Sequence, residues 1–458
     1  MDPKLILKRT HDIYKKRLPQ LSLNFLAQAG GREYVEHALQ RFPSESNISW
    51  SGDSRGVGGR VSRAVCISDA GRISSKITQY LFSRPTIRTG IDEDWAKNVT
   101  GSGVGINSFW ATVSENLTAG QWTWLKADRD SVNSPRSLAD RPNTDVVRWT
   151  CYPSTSVPDF CVDNNGQLQW LLTEEFEYNN EDPTVEAELR TVRYLWQMVN
   201  GKPQWKKIGE VDKEVRVIAE GSVSGDALPF VLLGKPSVQP WWYDSVADIQ
   251  GLLLNLESCN VENIIRTVFP QLVISSETYN NLEVKLIERL GSNNGQAVVE
   301  MARELVRGLD TPLIETAEGK NITRYLMPDA NNLSFIPSEI KRKRAELFDS
   351  VGMALFSRET RMVESAESKA FTQLDISSTL GNRAKILEEA EIKLVDASVA
   401  IDSAFKTYKP QWPTNFSVED WESDAAVLKT LSETITPEQT AKFSQIVDKT
   451  LDRYYNSN

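Results

Sequence analysis

Histidine and cysteine are scarce in this 458-residue chain, which has only His11 and His37, and Cys66, Cys151, Cys161 and Cys259. No CxxC pair occurs, so the donor sets that hold zinc are missing and no metal site is expected. Cys151 and Cys161 are close enough in sequence to meet across a hairpin, but the expectation is that all four cysteines are unpaired and reduced. Long apolar runs are also absent. Nothing approaches the ~20 residues of a membrane helix, and the opening MDPKLILKRTHDIYKKRL lacks the apolar core of a signal peptide, so no membrane contact is expected. Basic residues are in deficit as well: 52 Lys and Arg against 62 Asp and Glu give a net charge of -10. That balance excludes a protein that grips nucleic acid through a general excess of positive charge.

Two glycine-rich strings, GVGGR at 56–60 and GSGVG at 101–105, lack the GxxxxGK[ST] pattern of a phosphate-cradling loop. Neither follows a clear strand and opens a helix at the right residue. No catalytic constellation and no cofactor are expected.

What is present is the material of a folded protein, 40% hydrophobic and 25% charged, in a chain long enough for two or more packed units. Residues 1–43 read as a helical arm, broken at Gly30-Gly31. Loop chemistry follows to Gly59, then helices near 74–82 and 106–118 and a buried strand in QWTWLKAD. From about 146 to 229 strand signals dominate. LQWLLTEEF follows a DNNG turn, and RTVRYLWQMV is joined to WKKIGEV through Asn200-Gly201. Tyr194, Trp196 and Met198 alternate with polar or smaller neighbours, predicting one buried sheet face. Trp122, Trp124, Trp149, Trp170, Trp196 and Trp205 read as core or subunit interface. Trp241-Trp242 reads as an anchor for the helix that follows.

Apolar residues at helical spacing predict that helix over 244–268, ended by Phe269-Pro270. A small α/β module runs to 336, with helical runs near 282–290 and 296–309 and a strand in ITRYLM. A second helix is expected to open at Pro337, with Glu339 in its first turn. A third is expected over 364–408, roughly 65 Å long at ~1.5 Å per residue, with Leu380, Leu387, Leu394 and Ile401 on one stripe and Gly381 as the place for a kink. Helices near 418–431 and from Thr436 close the chain. The fold class is α+β.

This order of elements resembles the portal proteins of tailed bacteriophages. Several strings carry the resemblance: HDIYKKRLPQ with GGREYV, INSFWATVSENLTAGQWTWLKAD, ADIQGLLLNLESCNVENIIRTVFPQLVI, which is the most specific, and ESAESKAFTQLDISSTLGNRAKILEEA. The resemblance implies a portal-type fold with an N-terminal arm at 1–43, a mixed α/β wing at 44–240, a first stem helix at 241–268 and a clip at 269–336. A second stem helix at 337–356, a tunnel loop at 357–363, a long wing helix at 364–408 and a short helical crown at 409–458 complete it. It also implies a dodecameric ring at one capsid vertex, assembled in the host cytoplasm and resident in the virion. Partners would be double-stranded DNA, the terminase large subunit, major capsid and scaffolding proteins, and a head-to-tail adaptor. A net acidic chain suits such a channel, because DNA that must slide is served badly by strong phosphate binding.

On this reading Arg358, Glu359, Thr360, Arg361 and Met362 form the tunnel loop, where mixed charge touches phosphate transiently. Lys341, Arg342, Lys343 and Arg344 cover just over one helical turn and point in several directions, so neighbouring subunits are as good a destination for them as DNA. Two other function classes stay open: a phosphate-ligand enzyme using the Gly101–Gly105 loop, and a monomeric head-to-tail adaptor.

Overall fold

The computed structural model describes residues 2–43, 45, 50–52, 58–129, 146–163, 165–179, 188–211, 214–268, 271–275, 281, 284, 313–315, 324–326, 330–351, 366–414 and 416. The protein is α+β and divides into two units. One comprises Met1–Ala29, Asp69–Ala247 and Phe348–Asn458, the other Gly30–Ser68 and Asp248–Leu347. The helices are α1 (Pro3–Lys8), α2 (Asp12–Ala29), α3 (Gly31–Ala38), α4 (Arg60–Arg63), α5 (Asp69–Leu81), α6 (Glu93–Ala96), α7 (Ile106–Gly120), α8 (Trp242–Val268), α9 (Ala330–Asp349) and α10 (Ala366–Ile401).

The first unit is organised by two antiparallel sheets. β2 (Trp122–Arg129) lies between β3 (Val147–Pro153) and β9 (Phe230–Gly234). The other runs in sequence order through β4 (Asp159–Val162), β5 (Leu168–Asn179), β6 (Glu188–Val199), β7 (Lys202–Val211) and β8 (Glu214–Ser222). The expected hairpin turn falls on Asn200 and Gly201, at φ +52° and +75°, the conformation that matches strand twist in a two-residue connection.

One buried face was expected for this sheet; both are covered at its centre. Leu171 and its cross-strand partner Trp196 join Trp122, Trp124 and Tyr152 on one side. Leu172, Leu195 and Ile208 pack with Ile6 of α1 on the other. The adjacent pair Leu171-Leu172 sends one leucine to each face, because strand side chains alternate.

The heptad-spaced Leu380, Leu387, Leu394 and Ile401 are all buried on α10, which packs on β2 and β9. Trp149 of β3 donates from its ring nitrogen to Ser398 at 2.9 Å, and Trp95, Trp110 and Phe109 pack around its ring. The tryptophans read from sequence as core thus include four, at 122, 124, 149 and 196, that are at most 4% exposed.

Several expectations are corrected. The long helix ends at Ile401 and not at Tyr408. Asp402 opens a turn, with the Phe405 N–H donating to its carbonyl. The helix runs without a break through Gly381. The glycine permits close approach there, since a Cβ would sit 3.1 Å from the Thr414 carbonyl oxygen. β13 (Lys409–Gln411) pairs with β1 (Ile87–Thr89), so the start of the expected crown is a strand of the first unit. The helices expected after residue 417 lie outside the described residues. Cys66, Cys151, Cys161 and Cys259 form no disulfide among the described residues.

Gly234 gives a direct test of the β2–β9 register. It pairs with Trp122 at φ +82°, and a Cβ would fall 2.4 Å from the Gln121 carbonyl oxygen. Gly234→Ala is expected to cost about 2 kcal/mol or more in chemical unfolding, from positive-φ strain and the clash together. A cost under about 0.5 kcal/mol would contradict this register.

Candidate functional site

Within the second unit, α8 from Asp248 onward and α9 as far as Leu347 are the long elements. The same unit holds α3, α4 and a three-stranded mixed sheet. β10 (Gln271–Ser275) runs parallel to β11 (Leu313–Glu315) and antiparallel to β12 (Arg324–Leu326), the strand expected in ITRYLM. The helix expected over 244–268 is present as Trp242–Val268.

The loop before α4 is stapled to α8 by one buried arginine. Arg60, 3% exposed, places its guanidinium 4.6 Å from the Phe42 ring and 5.0 Å from the Trp50 ring. Its nitrogens donate to both Glu45 carboxylate oxygens at 2.9 Å, to the Gln40 carbonyl and to Ser258 at 3.3 Å. Burial pushes the Glu45 carboxyl up, but the hydrogen bonds from Arg60 and the Phe42 N–H, with the Arg60 and Arg41 charges, bring it below its ordinary value. Arg63 meets Glu262 at 2.6 Å, and Asn255 accepts from the Gln40 N–H at 2.9 Å. This saturation absorbs the second half of GVGGR into packing, with Gly59 held against the Trp50 backbone.

The basic cluster on α9 is neutralised piecemeal. Arg342 pairs with Glu339, Nε to Oε2 at 2.8 Å, and lies 3.6 Å from Glu346. Lys343 meets Glu346 at 2.9 Å, and Arg344 crosses to Glu257 of α8 at 2.6 Å. Lys341 is exposed and has no ion-pair partner among the described residues. Three of the four cations thus face three carboxylates, and no concentrated phosphate grip is formed. Sequence placed the cations around the helix; it did not reveal that Glu257, 87 residues away, balances one of them.

Helix α9 begins at Ala330, seven positions before the expected start, and Pro337 sits inside it. Exposed Phe335 at 66% lies on the added turns. Arg358, Glu359, Thr360, Arg361 and Met362 lie outside the described residues.

In the first unit, the Gly101–Gly105 loop is a closed turn. The Val99 N–H donates to the Val104 carbonyl, and the Trp149 N–H to the Val99 carbonyl. The Gly103 N–H is taken by the Asn98 side chain at 2.7 Å. Arg148 packs so closely on Gly101 that a Cβ there would meet its guanidinium carbon at 2.5 Å. The element before the loop is the short helix α6, not a strand. The arrangement lacks the strand-loop-helix order of a phosphate-binding loop.

The α8 helix starts from a built polar centre in the same unit. Asp244 accepts from Arg17 at 2.8 and 3.0 Å, from Asn24 at 2.9 Å and from the Trp241 N–H at 2.8 Å. Burial pushes its carboxyl up; the hydrogen bonds from Arg17, Asn24 and Trp241 outweigh that and hold it below its ordinary value. The Trp241 ring nitrogen donates to the Thr118 carbonyl at 2.8 Å, which makes it the anchor that the sequence implied. Arg17 and Asn24 carry no sequence signal of this partnership, because 227 and 220 residues separate them from Asp244.

No family model matches the chain, and no curated protein matches it. Among solved structures, a chain of a native gene transfer agent virion is similar at 10% identity and a TM-score of 0.41, over 82% of this chain and 89% of that one. A chain from the neck of an empty gene transfer agent particle, computed with C6 symmetry, is similar at 11% identity and a TM-score of 0.35, over 90% of this chain and 98% of that one.

Proposed function

We propose that the protein is a phage portal: copies close into a dodecameric ring at one capsid vertex, and double-stranded DNA is packaged and ejected through it. Terminase docks on the clip, and adaptor and tail proteins engage later. Capsid and scaffolding proteins surround the ring during assembly, and the chain resides in the virion.

One observation carries the reading. Two long helices, Trp242–Val268 and Ala330–Asp349, bracket a small mixed sheet in the sequence and are cross-tied by Arg344 and Glu257. A 36-residue helix then follows. Helices of this length give rigid walls, and the segments between them are free to carry partner-specific loops. The mostly paired charge of α9 suits a wall past which DNA slides. In this proposal the first stem helix is 241–268, the clip falls between the two helices, and the second stem helix takes in the turns from Ala330. Residues 357–363 are the tunnel loop, the long wing helix ends at Ile401, and the crown follows the strand Lys409–Gln411.

Negative-stain images of the purified chain are expected to show rings with a central channel at several salt concentrations. Deleting 357–363 is expected to leave the rings intact and to reduce packaged or retained DNA at least tenfold. Normal packaging by that variant would remove the tunnel-loop assignment, and a chain that stays monomeric with scaffold present would remove the portal reading.

A further inference from the structure

Helices α5 and α7 and the connector from Phe82 to Thr86 border a cleft of about 470 Å³ in the first unit. Small-ligand sites span roughly 300–1,000 Å³. The apolar part of the lining is Phe82, Pro85 and Ala111. Several of its polar groups are already engaged. The Thr78 hydroxyl donates to Ser114 at 3.2 Å, the Gln79 side-chain oxygen accepts from Lys76 at 3.1 Å, and that of Asn107 accepts from Arg88 at 2.8 Å.

Two lining groups are short of partners. Glu115 is partly buried; the Ser75 hydroxyl hydrogen-bonds to it, and no Lys or Arg pairs with it among the described residues. Burial pushes its carboxyl up, as expected of a carboxylate that loses hydration without gaining a counterion. The Thr86 hydroxyl oxygen is buried and has no hydrogen-bond partner among the described residues. Buried polar groups in folded proteins are nearly always satisfied, so both point to an occupant.

Chemistry narrows what that occupant is. An anion would meet the Glu115 carboxylate. A divalent metal needs several hard oxygen ligands, and no group of three or more His, Cys, Asp or Glu is gathered among the described residues. A cation with N–H donors would supply Glu115 with a counterion and could donate to the Thr86 oxygen, while methylenes behind it cover the apolar lining. Arg84 also lines the cleft, which disfavours a second positive charge on the same ligand.

We infer that this cleft binds one primary alkylammonium group, with Glu115 as its counterion and Phe82, Pro85 and Ala111 against its stem. A free monoamine and a lysine side chain both carry that group. The site is complete within one chain, so it stands or falls apart from ring assembly.

Saturation-transfer NMR on the full chain near neutral pH tests it, with n-butylammonium and Nα-acetyl-lysine amide as probes at constant ionic strength. Tetramethylammonium, which has the charge but no N–H, is the control. n-Butylammonium is expected to bind with a Kd of about 1–10 mM, the range open to a ligand of so few atoms. Glu115→Gln is expected to weaken binding at least tenfold and Thr86→Val about threefold. Ala111→Phe fills the cleft but keeps the carboxylate, and it should abolish binding; circular dichroism checks that each variant folds. Acidification should also weaken binding, because protons compete for Glu115, and the raised carboxyl makes the loss begin at a higher pH than for an ordinary glutamate. Equal affinity for the two probes would support the site and show that it accepts a lysine side chain. A lysine amide at least tenfold weaker would support it and assign it to a free amine. Tetramethylammonium binding as tightly as n-butylammonium, or full binding by Glu115→Gln, would overturn the inference, as would no transfer to either probe. Should Glu115→Gln misfold, Ala111→Phe decides: binding undiminished in that variant overturns the site.

Discussion

Glu391→Gln is expected to destabilise the first unit by about 3–5 kcal/mol, the cost of leaving a buried charge without its counterion. The Glu391 side chain is 0% exposed, and that of its partner Arg88 is 7% exposed, with the guanidinium meeting the carboxylate at 2.6 Å. Tyr408 and the Trp412 ring nitrogen both donate to the same carboxylate, each at 2.8 Å. Burial, then the nearby Glu391 charge, pushes the Tyr408 hydroxyl far up, so it stays a donor. Arg88 also lies 5.8 Å from the Trp412 ring. The glutamine keeps the shape but turns one acceptor oxygen into a donor group beside three existing donors.

Arg88→Met alone should cost nearly as much, because it strands the carboxylate. The double replacement Arg88→Met, Glu391→Met should cost much less than the sum, since removing both charges also removes the desolvation penalty. Urea unfolding of the four proteins gives the coupling directly. Additive single costs would mean that the pair is not the unit proposed. The pair also fixes the strand Lys409–Gln411, because Arg88 sits on β1 opposite Pro410 of β13 in register. Loosening it should free the segment after Ile401 before it unfolds the rest.

That network shows what sequence reveals and what it hides. The seven-residue repeat of leucines on α10 was legible, because burial on one helix face leaves a period. Glu391 lies among them with no local signal of its burial, since its partners are 303, 17 and 21 residues away. The Asn200-Gly201 turn and the strands it joins were legible because turn chemistry is local. The second covered face of that sheet was not, since it depends on where α1 returns. Pro337 misled for a related reason: local rules place proline at a helix start, whereas here it lies inside the helix. Gly381 read as the place for a kink; that it also lets the Thr414 carbonyl approach could not be read from the sequence. Of the candidate site, the helices were legible and the charge balance between them was not.

Asp244→Asn should cost a comparable amount, about 3–5 kcal/mol, and with a distinctive pH signature. Arg17, whose side chain is 8% exposed, finds its counterion in Asp244, and its Nε is already buried without a partner. An asparagine would leave the guanidinium unneutralised beside Asn24. It would also place a donor where the carboxylate now accepts from the Trp241 N–H, weakening the cap of α8 by about 1 kcal/mol of the total. The folded carboxyl sits below its ordinary value of 3.8. Its stabilisation is therefore complete above that pH and is lost as pH falls through the lower folded value. Wild type and Asp244→Asn should differ most near neutrality and converge in acid, where protonated Asp244 comes to resemble the amide. Urea midpoints at pH 7 and in steps below pH 4 measure this gap. A gap under about 1 kcal/mol at pH 7 would show that Arg17 finds another counterion, and one unchanged through the acid limb would show that the cap, not the charge, is what Asp244 supplies.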